Sequence, residues 1–271
     1  MVIPAYNEGR VIDRCLRRLA DESDVKVVVA ANGCTDDTVE RARHHAVEVV
    51  EVKPASKIAA LNAGDERAGD VFPRLYLDAD IDLEPGALEA IVSALTATAD
   101  PAVAMPRLRF DVDESSWLVR SFYRVYTKLP YLSEGLVGAG CYAVNSAGRA
   151  RWGAFPDIVA DDLFVQGKFA RAERLTADAA CVAYAPRRFE ALVKVRTRTY
   201  HGNRQAAARG LGGEMTSTSG GSMKALVRLV AVRPWLAPDA FVYALINIIA
   251  RRRAVRMADD APWLTDSSSR S

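Results

Sequence analysis

VKVVVAANGCTDDTVERARHHAVEVVEV, residues 25–52, decides the fold. Val25–Ala31 is an apolar, largely β-branched run with little polar alternation, as expected for a strand buried on both faces. A polar loop follows. Thr35–Ala46 then reads as a helix with Thr and Asp at its start as caps, and Val47–Val52 reads as a strand again. Strand, helix and strand at this spacing make a βαβ unit and call for parallel pairing.

The rhythm extends both ways. Val2–Pro4 reads as a short strand, and a helix from Arg10 carries Val11, Ile12, Cys15, Leu16 and Leu19 on one face. Downstream, Lys57–Ala68 reads as a helix, Arg74–Asp78 as a strand, Pro85–Thr98 as a helix and Ala102–Phe110 as a strand. Right-handed crossovers wind such units into a mainly parallel sheet with helices on both faces. Beyond Asp111 the pattern predicts helices over Ser115–Leu132, Asp161–Arg171 and Arg187–Arg209, and strands over Gly138–Val144 and Leu175–Ala183. A Gly/Ser/Thr loop over 211–222, an apolar and basic helical extension over 223–256 and a polar tail complete the chain.

The 271 residues are ample for a buried core. Cys15, Cys34, Cys141 and Cys181 form no CxxC pair and, with three histidines, no finger-type zinc site. They read as reduced cysteines of a cytoplasmic protein. A net charge of +2 argues against a nucleic-acid binder that works by bulk charge. The charge is uneven, however. Residues 186–256 hold 14 Lys/Arg against 3 Asp/Glu, whereas residues 1–185 hold 21 against 28. Such a basic region suits phosphate or an anionic membrane surface, or simply a solvated helical face. No secretory leader is read at the N-terminus, and the first strand is short enough that the natural start is expected upstream. No run reaches the roughly 20 apolar residues a spanning helix needs.

Open α/β sheets bind ligands beyond the carboxyl ends of their strands. Polar motifs stand there. LDADID, residues 77–82, read as extended chain, puts Asp78 and Asp80 on one side, with Asp82 next in the alternation. Gathered carboxylates suit a hard divalent cation, Mg²⁺ or Mn²⁺, although an acidic turn capping the helix after Pro85 fits too. PAYNEG at 4–9 and ANGCTDDT at 31–38 are loops placed to touch a nucleotide or to cap helices. Lys57 opposes the dipole of the helix it opens, so a bound anion would account for it. Asp161 and Asp162 open another helix, as caps or as a general base. In RTRTYHGNRQ, 196–205, Arg and His suit phosphates or a metal, with His201 as an extra ligand. GAGCYA, 138–143, imitates a dinucleotide-binding glycine pattern, but it does not close the first strand of a βαβ unit.

PAYNE, NGCTDDT, K..ALNAG, a DxD and a late acidic pair occur in that order, and the set resembles the family 2 glycosyltransferases over roughly residues 2–210. The resemblance implies the GT-A fold, with a nucleotide-binding half over about 1–110 and an acceptor half over about 111–210. It implies an inverting, Mg²⁺- or Mn²⁺-dependent transfer from a UDP- or GDP-linked sugar to an acceptor hydroxyl, lipid-linked acceptors included. Cell-envelope polysaccharide, glycolipid and natural-product glycosylation are the settings it suggests. Pro4, Ala5, Tyr6 and Glu8 would line the nucleotide pocket. Asn32, Asp36 and Lys57 would sit near the base, Asp78 near the ribose or sugar, and Asp80 on the metal. Asp161 or Asp162 would supply the base, with Asp162 favoured. Gly138–Cys141 resembles the acceptor-side segment. Ala31 and Asn32 depart from the usual aspartate pair, Asp161–Asp162 from the usual Glu-Asp, and no Gln-x-x-Arg-Trp follows. A single-addition transferase is therefore expected, at the inner face of the cell membrane. The competing readings are an inactive nucleotide-sugar-binding module and a sugar-phosphate nucleotidyltransferase. The 223–256 helix, with Trp235, Phe241 and Tyr243 followed by Arg251–Arg253 and Arg256, is expected to meet an anionic membrane or a second subunit.

Overall fold

The computed structural model describes residues 1–20, 24–129, 140–210 and 219–257. Most of the expected glycine-rich linker, residues 138–139 of the GAGC segment and the polar tail lie outside them. The described residues fall into two compact units, one of residues 1–109 with 140–183 and the other of 110–129 with 184–257.

In the first unit, β1 (Val2–Ala5), α1 (Ile12–Arg18), β2 (Val28–Asn32), α2 (Thr38–Arg43), β3 (Glu48–Val52), α3 (Lys57–Ala68) and β4 (Arg74–Leu77) form the expected alternation. β5 (Ile81–Leu83), α4 (Ala87–Thr96) and β6 (Val103–Asp111) follow. β1 pairs in parallel with β2 and β4, and β2 in parallel with β3. The registers Ala5↔Ala31 and Asn32↔Val52 bring those strand ends to one edge.

Alternate side chains go to opposite faces. Ile3, Val29, Leu75 and Leu77 join Ile12, Leu16, Ile91 and Leu95 of α1 and α4 in one apolar cluster. On the other face α3 lies close, since a Cβ on Gly64 would stand 2.4 Å from Val2 Cγ1. Glycine there lets helix and strand approach. Helices thus cover both faces of a mixed sheet of eight strands, ordered β3-β2-β1-β4-β7-β6-β8-β5.

After β6 come α5 (Trp117–Tyr126), β7 (Cys141–Val144), α6 (Ser146–Arg149), α7 (Asp161–Gln166) and β8 (Arg174–Tyr184). The pairings β4–β7, β6–β7 and β5–β8 are antiparallel. The parallel pairings thus join β3, β2, β1 and β4.

α8 (Phe189–Ala208), α9 (Ser219–Val232) and α10 (Ala237–Val255) complete the chain, and with α5 they build the second unit. The helix expected over 223–256 is two helices, because Pro234 cannot continue an α-helix and a 3₁₀ turn occupies Pro234–Leu236. Phe122 stacks on Tyr243 at 5.0 Å between ring centres. The Arg196 guanidinium lies over the rings of Tyr126 and Tyr200, 5.2 and 5.1 Å away. Asp239 accepts from Ser121 Oγ at 2.6 Å and from Arg124. Among the described residues no helix is long and apolar enough to cross a membrane.

Candidate active site

The carboxyl edge of β1, β2 and β4 carries the polar loops, and they are stitched to one another. Asn7 has φ = 53°, a left-handed conformation that Asn tolerates, and its Oδ1 accepts from Thr35 N at 2.8 Å. Gly9 N donates to Asp36 Oδ2 at 3.1 Å, and Glu8 N to Thr38 Oγ1 at 2.8 Å. Asn32 is buried. With its amide oriented to satisfy both ends, it donates to Ala5 O at 2.8 Å and accepts from Ser56 N at 3.1 Å. Pro4 and Ala5 close β1 and are themselves buried. Asn32 and Asp36 thus hold loops in place, while Tyr6 is half-buried beside them.

LDADID differs from its reading as extended chain. β4 ends at Leu77, Ile81 N donates to Asp78 O at 3.1 Å, and Asp78–Ile81 is a tight turn before β5. The two aspartates, Asp78 and Asp80, favour the turn. Asp82 parts from the other two: it is buried on β5 and pairs with Arg14 and Arg18 of α1, each at 3.1 Å. Asp78 and Asp80 remain half-buried at the edge.

Ser56 caps α3 by accepting from Ala59 N at 3.2 Å, which sets Lys57 at the first helical position. Its Nζ lies 2.8 Å from Asp78 Oδ1 and 3.1 Å from Asp161 Oδ1. Asp161 also accepts from Tyr142 Oη at 3.4 Å. Asp162 is half-buried, and its Oδ1 accepts from Leu163 N at 2.8 Å. Gly140 stands at the mouth of β7 with φ = 82°, and a Cβ there would meet Asp78 Oδ2 at 3.0 Å. Asp78, Asp161 and Lys57, far apart in the chain, thus form one ion-paired cluster, with Asp162 beside Asp161.

The charges do not balance. Burial opposes the charge of Lys57, but Asp161 and Asp78 outweigh it and hold the ammonium above the ordinary lysine range. Burial pushes Asp161 up and the charge of Asp78 adds to this, while Lys57 works against both. Asp162 is pushed up to about 6 by burial and by the charge of Asp161.

A second cluster supports the first. Asp65, buried two turns along α3, pairs with Arg74 and with Arg149 Nη2 at 2.6 Å, and accepts from Tyr76 Oη at 2.8 Å. Arg149 also donates to Trp152 O at 2.6 Å, and Asn62 Oδ1 accepts from Phe155 N at 2.7 Å. These bonds pin residues 149–155 to α3, just before the segment that presents Asp161 and Asp162. Sequence reading missed Asp65. The signal available was a carboxylate flanked by Leu61, Gly64 and Ala68 on the apolar side of the helix.

His201 does not complete a ready cage. It is buried on α8 in the second unit, with Nε2 3.2 Å from Gln205 Nε2. Among the described residues no three His, Cys, Asp or Glu side chains gather as ligands. Asp78 and Asp80 present hard oxygen donors at this edge, of the kind that suits an ion also taking phosphate oxygens.

A family model described as "Glycosyl transferase family 2" matches residues 1–152. The chain belongs to glycosyl transferase family 2. The matched segment holds Lys57, Asp78 and Asp80 and ends before Asp161. This glycosyltransferase shares its fold with solved structures. A mannosyltransferase from Pyrobaculum calidifontis, in complex with GDP-Man and Mn²⁺, aligns with a TM-score of 0.65 at 18% identity, covering 94% of this chain and 86% of that one. Glucosyl-3-phosphoglycerate synthase from Mycobacterium tuberculosis, with Mn²⁺, UDP-glucose and glycerol 3-phosphate, aligns with 0.54 at 18% identity, covering 79% and 80%. Mannosyl-3-phosphoglycerate synthase from Rubrobacter xylanophilus aligns with 0.53 at 18% identity, covering 78% and 72%. The search of curated proteins returned no match.

Proposed function

We propose that the protein is an inverting, metal-dependent transferase that moves one sugar from a UDP- or GDP-linked donor to an acceptor hydroxyl. The observation that carries this is the cluster at the sheet edge, where Lys57 faces Asp78 and Asp161 with Asp162 alongside. The GDP-Man, UDP-glucose and Mn²⁺ of the structures with this fold support the donor and metal classes.

Asp162 takes the acceptor proton. It is half-buried and has a pKa of about 6, whereas Asp161 is 4% exposed and already engaged by Lys57 and Tyr142. A base with a pKa near the working pH removes a hydroxyl proton most effectively. Asp161 and Lys57 hold the cleft in register, and the stitched loops of β1 and β2 receive the nucleotide. Asp80 and Asp78 would hold the divalent cation, whose charge would offset that gained by the departing diphosphate.

The test is turnover on a panel of UDP- and GDP-sugars, with hydrolysis and transfer both read. Asp80→Asn is expected to abolish turnover at an unchanged melting temperature, and chelator treatment of the wild type to do the same until Mn²⁺ is restored. Full turnover by chelator-stripped protein would overturn the metal role, and no turnover on any donor would favour a binding module.

A further inference from the structure

Among the described residues, the second unit keeps an apolar surface that its packing does not use. The inward face of α10 carries Ala240, Tyr243, Ile246, Ala250 and Ala254, all buried. The outward face is apolar as well. Phe241, Leu245, Ile248 and Val255 are exposed, Phe241 by 70% and Val255 by 69%. Their spacing of four, three and seven residues places them in one stripe along the helix. Arg252 falls in the same stripe, and Arg251, Arg253 and Arg256 flank its C-terminal end. Trp235, 70% exposed, precedes its start.

A second feature of the same unit is amphiphilic too. A cleft of about 460 Å³ beside α9 is lined by Lys128, Lys224, Arg228 and Arg233 together with Ala225, Leu229 and Val232. Cations beside aliphatic side chains fit a phosphate ester that carries acyl chains.

Charge decides between occupants. Residues 219–257 hold seven Lys/Arg and a single carboxylate, Asp239. Asp239 is engaged by Ser121 and Arg124. A second copy laid parallel on this stripe would bring arginines against arginines, and an antiparallel one would offer them no free carboxylate from these residues, Asp239 being already engaged. A sheet of anionic headgroups supplies the missing charge, and its acyl boundary receives Phe241, Leu245 and Ile248 while the arginine stems reach back to the phosphates.

We infer that the α9–α10 face of the second unit docks on an anionic lipid bilayer. The proposal stands apart from the chemistry of the sheet edge. The experiment is co-sedimentation of the full chain with vesicles of phosphatidylcholine alone and of phosphatidylcholine with an equal part of phosphatidylglycerol. Binding is expected on the anionic vesicles at low salt and should weaken as added salt screens the charges. Phe241→Ser/Leu245→Ser/Ile248→Ser should lower partitioning by about tenfold or more. Arg252→Glu/Arg253→Glu/Arg256→Glu should lower it comparably while leaving the apolar stripe intact. All six residues are exposed, so both variants should melt as the wild type does. Equal binding to neutral and anionic vesicles would overturn the proposal, as would wild-type binding by both variants. A dimer that the triple-Ser variant dissociates, with no vesicle binding, would assign the stripe to a second copy instead.

Discussion

Helix α3 delivers two charged side chains into the first unit, Lys57 at its start and Asp65 eight residues on, and their surroundings are opposites. Asp65 is one carboxylate facing Arg74, Arg149 and the Tyr76 hydroxyl. Its charge is more than matched, and its neighbours are walls, helices and main-chain carbonyls. Lys57 is one ammonium facing Asp78 and Asp161, with Asp162 adjacent. There negative charge is in surplus, and burial together with that surplus raises Asp161 and Asp162. A balanced buried cluster fixes structure, while an unbalanced one at a sheet edge stores affinity for cations and protons.

The comparison breaks most visibly in turnover. Asp162→Asn should slow the chemical step by roughly 10²–10⁴-fold with donor affinity retained, read by single-turnover kinetics. Asp161→Asn, which leaves Lys57 with one partner fewer, should weaken donor binding as well. If both variants transfer sugar at the wild-type rate, neither carboxylate is the base.

Asp65→Asn should act the other way, on stability first. It leaves Arg74 buried and Arg149 half-buried with no counter-charge, which costs about 3–5 kcal/mol. Urea denaturation should show that loss, whereas Asp162→Asn should show none. A marginal effect of Asp65→Asn would mean that the Asp65 cluster is not the anchor of the 149–155 segment.

The smallest effects are in pH dependence. The folded pKa of Asp162, about 6, lies above its ordinary value of 3.8. Between those values the folded chain binds more protons than the unfolded one, so stability falls as pH rises through that window, and the penalty is complete above about 6. Asp162→Asn should flatten that slope in denaturation curves. The active base is the carboxylate, so kcat/KM should rise through the same window. Lys57→Gln removes the opposing cation and should carry the rise upward by about one pH unit. An unmoved profile would separate Lys57 from the base.

Much of this was legible in the sequence, and unevenly so. The βαβ core was readable because burial on both faces leaves an uninterrupted apolar run such as Val28–Ala31, and because α3, bounded by a Ser cap and a glycine, keeps the expected limits Lys57–Ala68. The acidic motifs were visible because polar residues after apolar strands have one edge to occupy. The turn at Asp78–Ile81 was not, since an alternation rule assumes an extended backbone and a three-residue linker between β4 and β5 does not keep one. Nor was the Asp65 cluster, whose partner Arg149 lies 84 residues away. Spacing records neighbours along an element, not partners across a fold. The site roles of Pro4, Tyr6, Asn32 and Asp36 came from family resemblance, and what the residues themselves disclose is loop architecture.

One consequence concerns insertions and deletions. α3 is a rigid spacer of about 12 Å between Lys57 and Asp65. Its sequence, KIAALNAGDERA, is rich in residues that many helices would accept. Its length is another matter. One residue added or removed between the two turns everything beyond it by about 100° and slides it by about 1.5 Å. Lys57 and Asp65 could then no longer both meet their partners. The helix can drift in composition and not in count, so relatives that vary their loops freely should keep those eight steps unchanged.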